Sequence, residues 1–112
     1  MTPDYHRSLF DAGNPAVKLI ERILPCYQSY FDQFVGLNGS TYTHDPSAIS
    51  YVIAPELFTT REAPVFVATE GRCFGQTAAD WRGQWEERPS VKICVDVDSA
   101  AVLALIKERL TK

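Results

Sequence analysis

The order of apolar periodicities along the 112 residues predicts an α/β fold, with helices first, a few strands after them and a closing helix. Three observations carry this. Apolar residues repeat at helical spacing after Asn14, the stretch from residue 63 to residue 98 holds the β-rich runs APVFVATE and VKICVDVD, and the chain ends on AAVLALIKERL. Three strands or fewer leave a sheet with open edges, and residues 64–70 and 91–97 are the expected ones.

In chain order, TPDYHRSLF reads as a short helix with Thr2 as its cap and Pro3 in first place. Asn14 and Pro15 open a longer helix, in which Val17, Ile20, Ile23, Leu24 and Tyr27 form the apolar stripe. Pro25 falls inside it. An interior proline removes a hydrogen bond and costs about 3 kcal/mol, so a kink or two abutting helices is expected there. VGLNGSTYT is a loop, and a third helix is expected from Pro46 to about Ala54, closed by Pro55. APVFVATE has apolar residues on both faces and suggests a strand buried on both sides. RCFGQTAADW reads as a second strand broken by a bulge or turn at Gly75, and RGQWEERPS as a polar surface connection. In VKICVDVD, strict alternation puts Val91, Ile93, Val95 and Val97 on one face and Lys92 and Asp96 on the other. Asp98 or Ser99 then caps the last helix, whose stripe is Val102, Leu103, Ile106 and Leu110.

Composition narrows the function classes. A hydrophobic content of 46% supplies a core without disulfides. The net charge of −3 is mild and the eleven Lys and Arg are scattered, so no basic track for nucleic acid exists. Cys26, Cys73 and Cys94 lack CxxC spacing and read as reduced packing residues. No basic leader with an apolar core and no membrane-length apolar run is present, so a soluble cytoplasmic protein is expected.

The stretch THDPSAISYVIAPELF carries the chemistry. Asp45 before Pro46 suits a helix N-terminus, where the carboxylate would accept from backbone amides and contribute about 1 kcal/mol, with His44 as the preceding loop residue. The same position suits a site. An imidazole there could exchange a proton near neutral pH, and Asp45 is a hard oxygen ligand for calcium or magnesium.

Several motifs in the right order resemble one family. They are His44-Asp45-Pro46, Pro55-Glu56-Leu57-Phe58, Glu70-Gly71 with Gly75 and Thr77, the strand end Asp96-Val97-Asp98, and the preceding LFDAGNPAVKLIERIL. Together they resemble the C-terminal part of the inosine-uridine-preferring nucleoside hydrolases. The resemblance implies the C-terminal part of that family's open-sheet fold. The chain would then be a single partial domain over 1–112, helical over 1–35, with the His-Asp-Pro helix, strands and closing helix in 36–112. The implied reaction is calcium-dependent hydrolysis of the N-glycosidic bond of nucleosides to ribose and base. The implied roles are Asp45 as a calcium ligand and His44 as an acid or base-orienting group at the leaving base. Tyr27, Tyr30 and Phe31 lie where the family lines its nucleobase pocket, although a packed helix face is the expected reading of them.

The family's aspartate cluster, Asp-x-Asp-x-x-x-Asp-Asp, has no counterpart, since Asp4, Asp11, Asp32 and Asp80 lack that spacing. The expectation is therefore a truncated fragment, inactive and binding no calcium when alone, that self-associates through uncovered faces. The competing expectation is a non-catalytic binding or oligomeric assembly module in which Asp45 serves only as a cap.

Overall fold

The computed structural model describes residues 1–85 and 88–112; Glu86 and Glu87, within the expected polar connection 82–90, lie outside the described residues. The chain forms two units, residues 1–57 with 98–112, and residues 58–97.

The first unit is helical. Helix α1 spans Pro3–Phe10, and Thr2 caps it by accepting from the Tyr5 amide at 3.3 Å. Helix α2 spans Pro15–Phe34. Its cap Asn14 accepts from the Val17 amide at 2.9 Å and donates through its side-chain amide to the Leu110 carbonyl at 2.6 Å. One residue thus starts α2 and ties it to the end of the closing helix. Helix α2 runs continuously through Pro25, so the two abutting helices that were one expectation are not found. The ring is exposed, so the Glu21 carbonyl that loses its amide partner can be hydrated instead. Helix α3 covers His44–Ile53, starting two residues before the expected Pro46, and a 3-10 turn at Pro55–Leu57 follows it. Helix α4 covers Ser99–Thr111, and Asp98 is its cap, accepting from the Ala101 amide at 3.0 Å. Leu9, Val17, Leu24, Phe31 and Val102 form the buried apolar core of this unit. The Tyr5 hydroxyl donates to the Leu103 carbonyl at 2.7 Å, joining α1 to α4.

The second unit is an antiparallel sheet of β1 (Phe58–Val67), β2 (Thr77–Ala79) and β3 (Ser90–Val97), in the order β2-β1-β3. Residues 65–67 pair with β2 and 58–64 with β3, so residues 65–67 lie in the central strand yet keep one side unpaired, and β3 is an edge strand as expected. Gly75, at φ +83°, belongs to the turn before β2 rather than to a broken strand. A bulge opposite Thr59 and Thr60 makes Asp96 and then Cys94 their partners, leaving Val95 extra. Asp96 and Cys94 therefore face opposite sides, and the alternation read through VKICVDVD stops at residue 94. Burial on both faces of β1 is not found either. Ala63 is its buried residue, while Phe66 and Val67 pair only with the three-residue β2 and stay exposed. All three cysteines are exposed rather than packed.

Candidate active site

The corner carrying His44 and Asp45 is built by the loop between α2 and α3, in the helical unit. Gly39 takes φ +78°, and a Cβ there would meet the Pro3 ring at 3.4 Å. Its amide donates to Asp32 Oδ1 and its carbonyl accepts from Gln28 Nε2, both at 2.7 Å. Two residues on, Thr41 is buried. Its amide donates to the Met1 carbonyl at 2.9 Å, its carbonyl accepts from the Met1 amine at 2.6 Å, and its hydroxyl lies 3.2 Å from His6 Nε2. These bonds fix the chain just before it turns outward as Tyr42, Thr43 and His44.

His44 is the first residue of α3 and Asp45 the second, which corrects the expected cap. Thr43 occupies the cap position, with no side-chain bond to the backbone, and its hydroxyl pairs with that of Ser47 at 3.0 Å. Once Asp45 is itself helical, its carboxylate no longer lies over the open amides as a cap does. Its charge still sits favourably in the first turn, against the positive end of the helix dipole. Asp45 is exposed and makes no hydrogen bond or ion pair among the described residues. What was expected to be committed to capping is free for a ligand.

The His44 ring is exposed and lies 5.5 Å from the Tyr42 ring, tilted by 52°. Behind Tyr42, Phe31 meets it edge-on at 5.4 Å and touches Tyr27 at 4.8 Å and Tyr30 at 5.5 Å, also edge-on. The three tyrosines are about half exposed and Phe31 is buried. The aromatic stretch of α2 therefore divides: Phe31 packs, whereas Tyr27 and Tyr30 line an open apolar cavity of about 720 Å³ with Ile20, Ile23, Ile106 and Pro46. Pro46 places the rim of that cavity one residue from Asp45. Aromatic faces beside an imidazole and a carboxylate suit a flat heterocycle attached to a polar group.

The residues present do not by themselves make a calcium site. Calcium takes about six to eight oxygen ligands. No group of three or more His, Cys, Asp or Glu side chains that could hold a metal occurs among the described residues, and Asp45 stands as a single carboxylate.

The profile of the family described as inosine-uridine preferring nucleoside hydrolase matches residues 1–104. The chain belongs to that family. It is 35% identical over 100 residues to the pyrimidine-specific ribonucleoside hydrolase RihA of Klebsiella pneumoniae, covering 88% of this chain and 32% of that protein. To RihA of Salmonella typhi it is 34% identical over 102 residues, covering 89% and 32%. Among solved structures, the plant nucleoside hydrolase PpNRh1 superposes with a TM-score of 0.88 at 28% identity, over 99% of this chain and 37% of that one. The purine-preferring ribonucleoside hydrolase of Gardnerella vaginalis shares the fold, with a TM-score of 0.79 at 22% identity over 99% and 35%. The expected α/β fold and family are both found. The chain spans about a third of the length of the curated relatives it matches. No helix among the described residues is long and apolar enough to cross a membrane.

Sequence reasoning missed the loop's supports, His6, Gln28, Asp32 and Thr41. They follow no period and no motif, and the signal was only a lone histidine in a short amphipathic helix.

Proposed function

We propose that this chain carries the leaving-base corner of a nucleoside N-ribohydrolase. His44 protonates or orients the departing base, the rings beside it stack on that base, and Asp45 supplies one oxygen to a calcium site completed by residues outside these 112. The observation that carries the reading is the pairing of an exposed imidazole and an unpartnered carboxylate on the first turn of α3, in a chain of this family. Protonating a base as the glycosidic bond opens spares the reaction a poor anionic leaving group, which general acid catalysis typically turns into 10²–10⁴-fold in rate.

On this reading the 112 residues alone release no base from uridine or inosine. Exposed apolar side chains such as Ile49, Val52 and Phe34 further suggest that the separate chain self-associates at micromolar concentration. The direct test is a chimera in which this chain replaces the matching third of Klebsiella RihA, assayed for free base. Hydrolysis that falls at least about 100-fold with His44→Ala is expected. A chimera that folds, hydrolyses nucleosides and is indifferent to His44→Ala sinks the assignment of the acid. For Asp45, calorimetry should show the chimera binding calcium more tightly than its Asp45→Ala variant, and equal affinities would remove Asp45 from the site.

A further inference from the structure

The loop that presents Tyr42 and His44 is held from behind by an imidazole that the proposed reaction does not use. His6 is 3% exposed. Its Nε2 lies 3.2 Å from the Thr41 hydroxyl and its Nδ1 3.3 Å from Gln28 Nε2. That Gln28 nitrogen also meets the Gly39 carbonyl at 2.7 Å. A carbonyl oxygen only accepts, so the Gln28 atom there is the NH2 group, and its second hydrogen points at His6 Nδ1. His6 Nδ1 is therefore the acceptor, and the proton sits on Nε2, donated to Thr41. Each polar atom in the set has one consistent role when His6 is neutral. A second proton would set Nδ1–H against the Gln28 amide hydrogens, with no acceptor between them.

We propose that neutral His6 is the positioning residue for His44: through Thr41, and with Gln28 through Gly39, it latches the α2–α3 loop, and its protonation releases that loop. The proposal rests on the function above only for what the loop is for; the latch itself stands on these bonds. The surroundings oppose a charge on His6. Burial comes first and the nearby Met1 amine second, and both push its pKa below the ordinary imidazole value. The Met1 amine, itself lowered by burial, bonds the same Thr41. Tyr5 meets the His6 ring edge-on at 6.5 Å, from α1. From α2, Arg22, Cys26, Tyr27 and Tyr30 line the cavity that His6 also borders. Among the described residues, no carboxylate lines the cavity to welcome an imidazolium.

Linkage sets the sign. Releasing the loop frees His6 to take up a proton, so the opening equilibrium grows about tenfold per pH unit between about 6.5 and the lowered latched value. The test follows loop amides by NMR hydrogen exchange in the full 112-residue chain, from pH 7.5 downward. A His44→Ala background leaves His6 as the one imidazole, since the sequence holds two histidines. His6→Gln keeps a donor near the Nε2 position and does not titrate. The expected result is a ratio of exchange rates at the Thr41 amide, His6 chain over His6→Gln chain, that climbs about tenfold per unit across that window. The Tyr42 and Thr43 amide signals should shift with the same midpoint, and only in the chain with His6. Should His6→Gln fail to fold, Thr41→Val removes the acceptor while His6 remains. Loop signals at neutral pH should then already resemble the acid form and no longer follow His6. A His6 titration that leaves the loop amides unmoved, or loop shifts that persist in the variants, overturns the proposal. Because no step of the test uses nucleoside, a failed latch and a failed hydrolase assignment are separately visible.

Discussion

Replacing Phe31 by Leu tests whether the aromatic cluster behind His44 is structural support or incidental contact. Phe31 is 5% exposed and meets three tyrosine rings edge-on, at 4.8, 5.4 and 5.5 Å. Edge-on pairs contribute about 0.5–1.5 kcal/mol each beyond the area they bury. All three partners are about half exposed, so the low end applies and the contacts together are worth about 1.5 kcal/mol. Leucine keeps most of the buried apolar area but leaves part of the ring's volume unfilled, which brings the expected loss to about 2–3 kcal/mol. Urea unfolding followed by far-UV circular dichroism reads this directly, because the α-helices of the described residues all belong to the unit that contains Phe31. The site should respond as well. With its brace gone, the Tyr42 ring reorients and the His44 imidazole signals in NMR shift. A stability loss below about 0.5 kcal/mol with unmoved His44 signals refutes the bracing argument.

Three further outcomes are expected. Asn14→Ala removes both the α2 cap and the bond to the Leu110 carbonyl, and should cost about 1–2 kcal/mol by urea unfolding. Pro25→Ala restores the missing amide in a helix that is already continuous, and should raise stability by about 1–3 kcal/mol in the same assay. His6 makes stability depend on pH. Its pKa is lower folded than unfolded, so the unfolded chain binds the proton first as pH falls. The contribution is complete above about pH 6.5 and is lost on acidification down to the folded value. Urea midpoints at pH 7.5 and 5.5 should differ more for the native chain than for His6→Gln, and equal differences would count against it.

The helices were largely legible because their signals are local. Thr2, Asn14 and Asp98 are short polar residues one step before a helix, and each takes the cap that its type prefers. Asp45 shows where such reasoning stops. Asp before Pro is a good local start signal, but Thr43, two residues after Thr41 is held by bonds to Met1 and His6, takes the cap position and His44 is already helical. Those bonds join residues about 35 to 40 positions apart, and no local pattern encodes them. The strands failed for a related reason. Periodicity two is blind to a bulge, and a single extra residue at Val95 exchanges the faces of everything after it. At Pro25 the helix does not break, since the cost of an interior proline depends on whether the orphaned carbonyl reaches water.

The distribution of order around the corner says what kind of contribution it makes. The Asp45 carboxylate and the His44 ring are exposed at the start of α3 and, apart from the Tyr42 ring, lack fixed partners among the described residues, whereas the backbone behind them is pinned at Gly39 and Thr41. Pinning costs conformational entropy, about 1–2 kcal/mol for each residue fixed, and here it is met by bonds within the chain itself. Misplacing a catalytic group by about 1 Å can cost roughly 100-fold in rate, so rigid backbone under free functional atoms is the arrangement that benefits a reaction. A purely structural helix start needs the reverse, side chains tied to its own amides, as at Asn14 and Asp98. The first turn of α3 forgoes that stabilisation, which fits the proposal that its carboxylate and imidazole act on a bound nucleoside.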